Sequence, residues 1–94
     1  MMYKHVQVKI SGQVQGVFFR ANTQKIAQSL GLKGFVKNEP DGGILIIAEG
    51  EQEKLEELVK WCHQGPSRAM VEKIDISWQE PKQKFKNFEI KYNS

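Results

Sequence analysis

Val6, Val8 and Ile10 alternate with His5, Gln7 and Lys9 near the start of the chain. A period of two turns one set of side chains to a core and the other to solvent, so this pattern predicts a half-buried strand over residues 4–11. Gly12 and Gly16 then bracket a loop. From Phe19 the period changes: Phe19, Thr23, Ile26, Ala27 and Leu30 lie on one face of a helix, and Gly31 stands where a helix ends. A second strand is predicted over 33–38, followed by turn chemistry in Glu39-Pro40-Asp41-Gly42-Gly43. Residues 44–49 form an apolar run without polar alternation, which predicts a strand in the middle of a sheet. Leu55, Leu58, Val59 and Cys62 repeat at helical spacing, and Gly65-Pro66 stops that second helix. Ile74, Ile76 and Trp78 alternate in a fourth strand, and Phe88, Ile90 and Tyr92 in a short last one.

The order is β-α-β-β-α-β with an extra C-terminal strand. Each helix has a single apolar stripe, so both must cover one face of a mainly antiparallel sheet. The prediction is an α+β, ferredoxin-like sandwich, one domain over residues 1–94 without linker or repeat. That fold hosts many activities, so chemistry has to be read from particular residues.

Composition narrows the classes. With 39% hydrophobic and 27% charged residues, the chain has the balance of a soluble globular protein. A single cysteine allows no internal disulfide and suits a reducing compartment. Cys62, His5 and His63 lack metal-ligand spacing, so no metal is expected. The opening residues, MMYKHVQVKI, hold no apolar leader, and no apolar run reaches membrane length. A cytoplasmic monomer with no membrane and no nucleic-acid partner is therefore expected. The net charge of +3 and pI near 9.1 favour anionic partners only weakly, and Lys82, Lys84 and Lys86 form the one local basic cluster.

Candidate chemistry gathers in SGQVQGVFFRAN, residues 11–22. A glycine-flanked loop leading into a helix can turn successive backbone N–H groups toward one anion, helped by the helix dipole. Arg20, one of two arginines against twelve lysines, adds a planar fork suited to phosphate oxygens. The loop lacks the Gly-Lys-Ser/Thr ending of a P-loop. The same residues also fit a plain tight turn with a surface arginine. Asn38 ends a strand before a turn; its amide can hold a water, and asparagine also favours that position for conformational reasons. Cys62 to Arg68 has the Cys-x5-Arg spacing of a thiolate phosphatase. However, Cys62 falls on an apolar stripe at a helix C-terminal end, where the dipole disfavours a thiolate.

Taken together, GQVQGVFFR at 12–20 and GFVKNEPDGG at 34–43 resemble the two signatures of the acylphosphatase family. GPSRAMV at 65–71 and the segment Phe88 to Tyr92 resemble its later parts, so the likeness covers residues 5–92. The resemblance implies a metal-free, cofactor-free hydrolase that splits small acyl phosphates into carboxylate and inorganic phosphate, the latter a product inhibitor. It assigns Arg20 to the phosphate, the backbone of Gln15, Gly16, Val17, Phe18 and Phe19 to a phosphate-binding loop, and Asn38 to the attacking water. Two positions depart from the pattern. Phe35 replaces a frequent tryptophan, and Glu39 sets a carboxylate next to the site, with an expected penalty on phosphate affinity. A catalytically silent phosphate-binding regulatory module and an RNA-binding module remain alternatives on the same fold; the segment KGFV at 33–36 is the residue basis for the latter.

Overall fold

Two spacings, one of strands and one of helices, meet on a single sheet face. In the computed structural model, which describes residues 2–92, the chain forms β1 (Tyr3–Gln13), α1 (Phe19–Ser29), β2 (Lys33–Asn38), β3 (Ile44–Glu51), α2 (Gln52–Cys62), β4 (Met70–Gln79) and β5 (Phe88–Lys91). The sheet order is β4-β1-β3-β2-β5. β1 runs antiparallel to β3 and β4, β2 antiparallel to β3, and β5 parallel to β2. Each β-α-β unit therefore skips one strand, the split arrangement expected from the element order, with β5 added at an edge. The unalternating strand β3 is indeed central.

Val6, Val8 and Ile10 are buried beneath the helices together with Val36, Ile44 and Ile46. α1 covers β2 and β5, while α2 covers β1 and β3. The stripes are those the spacing predicts: Phe19, Thr23 and Ala27 are buried on α1, and Leu55, Leu58, Val59 and Cys62 on α2. At the end of α1, Leu32 N–H donates to the Ala27 carbonyl at 2.9 Å and Gly31 N–H to the Gln28 carbonyl at 3.1 Å. These are the two bonds of a Schellman cap, so Gly31 ends the helix as its position suggests.

Two places differ from the expectation. Gly12 is not in a loop. β1 continues through it by a bulge at Ser11/Gly12 and keeps pairing with β4 as far as Gln13 and Met70. A Cβ on Gly12 would meet the Met70 carbonyl oxygen at 2.1 Å, so this backbone approach requires glycine. Secondly, His5 lies on the polar face of β1 but is only 4% exposed. The connection between β4 and β5 crosses that face and covers it. Glu49, 1% exposed, holds the crossing in place. Its carboxylate accepts from His5 Nδ1 at 2.6 Å, from Lys82 N–H at 2.6 Å and from Gln83 N–H at 3.0 Å.

Candidate active site

The chain leaves β1 at Gln13 and enters α1 at Phe19, and the turn between them sets the site. Gly16 has φ +75°, which glycine adopts without strain. Phe18, the N-cap of α1, has φ 64° and ψ 24°. For a bulky residue this left-handed conformation is an outlier that costs about 1–3 kcal/mol and needs its surroundings to hold it. One holding contact is Asn22 Nδ2, which donates to the Phe18 carbonyl at 2.9 Å alongside the Asn22 backbone N–H at 3.1 Å.

The helix opens without compensation. No side chain caps α1, and its first turn contains no acidic residue. Hydrogen bonding inside the helix begins at Asn22, so the N–H groups of Phe19, Arg20 and Ala21 have no helical acceptor. The positive end of the helix dipole adds to these donors. Arg20 stands in the same turn. Among the described residues it joins no ion pair, and its guanidinium carbon lies 5.0 Å from the centre of the Tyr92 ring, a cation–π contact.

These groups border a cleft of about 240 Å³ lined by Val14, Gly16, Phe18, Phe19, Arg20, Ala21, Asn38, Ile90 and Tyr92. Asn38 reaches it from the end of β2. Strand alternation puts Asn38 on the helix-covered face with Val36, and Glu39 on the other. Asn38 Oδ1 is buried and has no hydrogen-bond partner among the described residues. A buried amide oxygen left unpaired carries a cost of about 1–3 kcal/mol, and such groups call for an explanation in function.

Arg20, Asn38, Gly16, Phe18 and Phe19 are thus brought together. Gln15 and Val17 do not line the cleft. Val17 packs against the core. The Gln15 side chain instead donates through Nε2 to the carbonyls of Glu39 and Gly43, both at 2.9 Å, and so ties the loop to the turn after Asn38. Glu39 does not carry its charge into the cleft. Its carboxylate pairs with Lys9 at 4.0 Å and Lys37 at 3.8 Å on the opposite face of the sheet. The cleft residues that the sequence did not reveal are Val14, Ala21, Ile90 and Tyr92. Ile90 and Tyr92 come from the far end of the chain, and no local pattern signals that they meet Arg20.

Two other sequence features are inert in this geometry. Cys62 is fully buried, and burial pushes its thiol pKa up to about 12, so it is no thiolate nucleophile. Phe35 is not an open stacking platform: Phe85 packs 6.1 Å from it and Lys91 Nζ sits 4.3 Å over its ring. The central strands present Gln7, Lys9, Leu45 and Ile47 on that face, not the aromatic pair of an RNA-recognition sheet. Among the described residues, no three His, Cys, Asp or Glu side chains converge as metal ligands.

Comparison with known proteins agrees with this geometry. The family model described as Acylphosphatase matches residues 6–90. An acylphosphatase of Rubrobacter xylanophilus is 43% identical over 88 residues, covering 94% of this chain and 80% of the relative. An acylphosphatase of Marinobacter nauticus is 47% identical over 79 residues, covering 84% and 86%. The crystal structure of acylphosphatase from Bacillus subtilis superposes with a TM-score of 0.90 at 32% identity, covering 97% of this chain and all of that one.

Proposed function

The chain belongs to the acylphosphatase family, and from that premise we propose that it hydrolyses the carboxyl–phosphate bond of small acyl phosphates, with Arg20 and the amides at the start of α1 binding the phosphoryl group and Asn38 positioning the water. The observation that carries the assignment of roles is the buried Oδ1 of Asn38, unpartnered among the described residues, which lines the same cleft as Arg20, itself in no ion pair with the described residues, and an uncapped helix start. Oδ1 is an acceptor, so it suits an O–H of water and not a phosphate oxygen.

The chemistry asks for little more. A carboxylate leaving group has a conjugate acid with pKa about 4, so it departs without a proton and no general acid is needed. Phosphoryl transfer passes through a loose transition state with charge on the equatorial oxygens. The bidentate fork of Arg20 and the N–H groups of the first helical turn meet that charge already oriented. The water oxygen bonds to phosphorus as the bond from phosphorus to the acyl oxygen breaks, and the electron pair leaves with the carboxylate. Asparagine cannot take the proton, so it passes to a phosphate oxygen. The product anion occupies the same donors and competes with substrate. No cofactor or metal enters the scheme, since the departing carboxylate needs no acid and the donors above meet the charge.

We infer action as a monomer, as the sequence suggests. The unpaired Cys62 supports a reducing compartment such as the cytoplasm. No helix among the described residues is long and apolar enough to cross a membrane. Phosphate release from acetyl phosphate, with and without excess EDTA, tests the proposal. Turnover is expected in both. Absence of turnover by folded protein refutes the activity, and loss with EDTA reversed by a divalent ion refutes the metal-free scheme.

A further inference from the structure

The basic cluster of Lys82, Lys84 and Lys86 has no part in the chemistry of the cleft. It lies on a strap, the connection from β4 to β5 that crosses the open face of the sheet. The strap bends at Gln83, whose φ of 55° is uncommon for a residue other than glycine. Glu49 holds that bend by accepting the Gln83 N–H at 3.0 Å. Beyond the bend, Lys84, Phe85 and Lys86 line a hollow of about 380 Å³, shared with Phe35 of β2 and with Glu89 and Lys91 of β5. A second hollow, of about 370 Å³, is lined by Tyr3, Lys33, Gln83 and Phe85. Phe85 belongs to both. Three lysines line the first hollow against one glutamate, so it carries an excess of two positive charges. Lys33, Lys82, Lys84, Lys86 and Lys91 join no ion pair among the described residues. Cations gathered around a concave surface without counter-charge repel one another, and a bound anion relieves that repulsion.

We propose that the two hollows form one binding site for a nucleoside triphosphate, with the phosphates on Lys84, Lys86 and Lys91 and the base beside Tyr3 and Phe85. A bare phosphate leaves the rings uncovered, and an uncharged aromatic leaves the lysines without a counter-charge. The ligand that meets both joins a planar body to several negative charges over a short distance. Ammonium groups on flexible stems suit a flexible phosphate chain. Tyr3, 44% exposed, and Phe85 offer ring surface to a base. Phe35 is itself covered, by Phe85 and by Lys91 Nζ at 4.3 Å, so it props Phe85 and does not stack on the ligand. Each hollow has the size of a small-molecule pocket. A nucleic-acid strand asks instead for a row of stacking rings, and the central strands present Gln7, Lys9, Leu45 and Ile47. No residue of either hollow lines the catalytic cleft, so the site stands apart from the hydrolytic reading.

Calorimetric titration with ATP, in EDTA and at low salt, tests the site. The cleft also attracts phosphates, so the titration is repeated in Arg20→Ala, where ATP binding is expected to persist. It should weaken about tenfold in the double variant Lys84→Ala/Lys86→Ala and several-fold in Tyr3→Leu. All these side chains are exposed, and circular dichroism confirms that the variants fold. Glu89→Gln removes the one negative charge in the first hollow and should tighten binding a few-fold. Salt at about 0.5 M should weaken it. Tripolyphosphate and adenosine should each bind more weakly than ATP. Absence of ATP binding at millimolar concentration overturns the proposal. So does its loss in Arg20→Ala, which would place ATP in the cleft, or its persistence at full strength in the double lysine variant. Tripolyphosphate binding as tightly as ATP removes the base from the site, and an oligothymidylate binding more tightly than ATP makes the face a nucleic-acid surface; either result refutes the assignment.

Discussion

Arg20 and Asn38 share one cleft but should fail differently when removed. In the proposed scheme Arg20 meets phosphate oxygens in substrate, transition state and product. Arg20→Ala should therefore raise KM, lower kcat and weaken phosphate inhibition together. Arg20→Lys should rescue little, because an ammonium lacks the planar fork. Asn38 is proposed to serve the water, so Asn38→Ala should cut kcat by about 10²–10³, the effect of losing one preorganised polar group, with phosphate inhibition nearly kept. The variant also removes the buried unpaired Oδ1, so its stability should hold or rise. Steady-state kinetics with phosphate as inhibitor separate the two cases. Near-normal kcat in Asn38→Ala would take the water away from it. Both residues were legible in the sequence because each sits in a short contiguous motif. Tyr92 was not: its contact with Arg20 spans most of the chain and depends on β5 adding beside β2.

Between elements, Gln15 ties together the two segments of the proposed site. Its two bonds, to Glu39 and Gly43, join the loop before α1 to the turn after β2. One segment holds the proposed phosphate donors and the other holds Asn38. Cutting the tether should disturb their relative position more than either part alone. Gln15→Ala is expected to lower kcat about tenfold or more, as small misplacements in a preorganised site do, while phosphate inhibition stays near wild type. Gln15→Glu should be worse, since it turns a carboxylate toward two carbonyl oxygens. Unchanged kcat in Gln15→Ala would reduce the tether to a loop support without catalytic consequence. From sequence, Gln15 offered only a backbone amide, because a side chain bridging two loops leaves no periodic trace. The elements themselves were clear wherever burial is one-sided. The α2 stripe is buried as its spacing predicts; on α1, Phe19, Thr23 and Ala27 are buried while Ile26 and Leu30 are partly buried, and on β1 the alternation holds except at His5, which the strap covers. Strand ends were less legible. β4 runs from Met70 to Gln79, beyond the expected 74–78, because edge pairing by backbone bonds continues where the side chains are exposed. α2 likewise starts at Gln52, ahead of its first apolar position, since a helix's first turn is not required to face the core.

Across the whole molecule, the cleft depends on a strap on the other side of the sheet. The connection from β4 to β5 crosses the open face, and β5 then delivers Ile90 and Tyr92 to the cleft. Glu49 holds the strap by accepting from two of its backbone amides as well as from His5. Burial by itself raises the Glu49 pKa. The hydrogen bonds from His5, Lys82 and Gln83 outweigh it and leave the value below the ordinary 4.5. A carboxylate with a depressed folded pKa stabilises the fold in its ionised form. That contribution is complete above the unfolded value and is lost as pH falls through the folded one. Glu49→Gln should therefore cost stability at pH 7, about 1.5–3 kcal/mol for hydrogen bonds to a charged group. The gap between wild type and variant should then narrow below about pH 4.5. Urea unfolding of both proteins at a series of pH values from neutral to acid measures that gap directly. A gap that keeps its neutral-pH size into strong acid would mean that Glu49 stabilises by shape and not by charge. Amide hydrogen exchange adds the spatial test: protection should fall first in the strap and β5, and β1 and β3 should hold theirs longest, because local opening spreads from the element that loses its anchor.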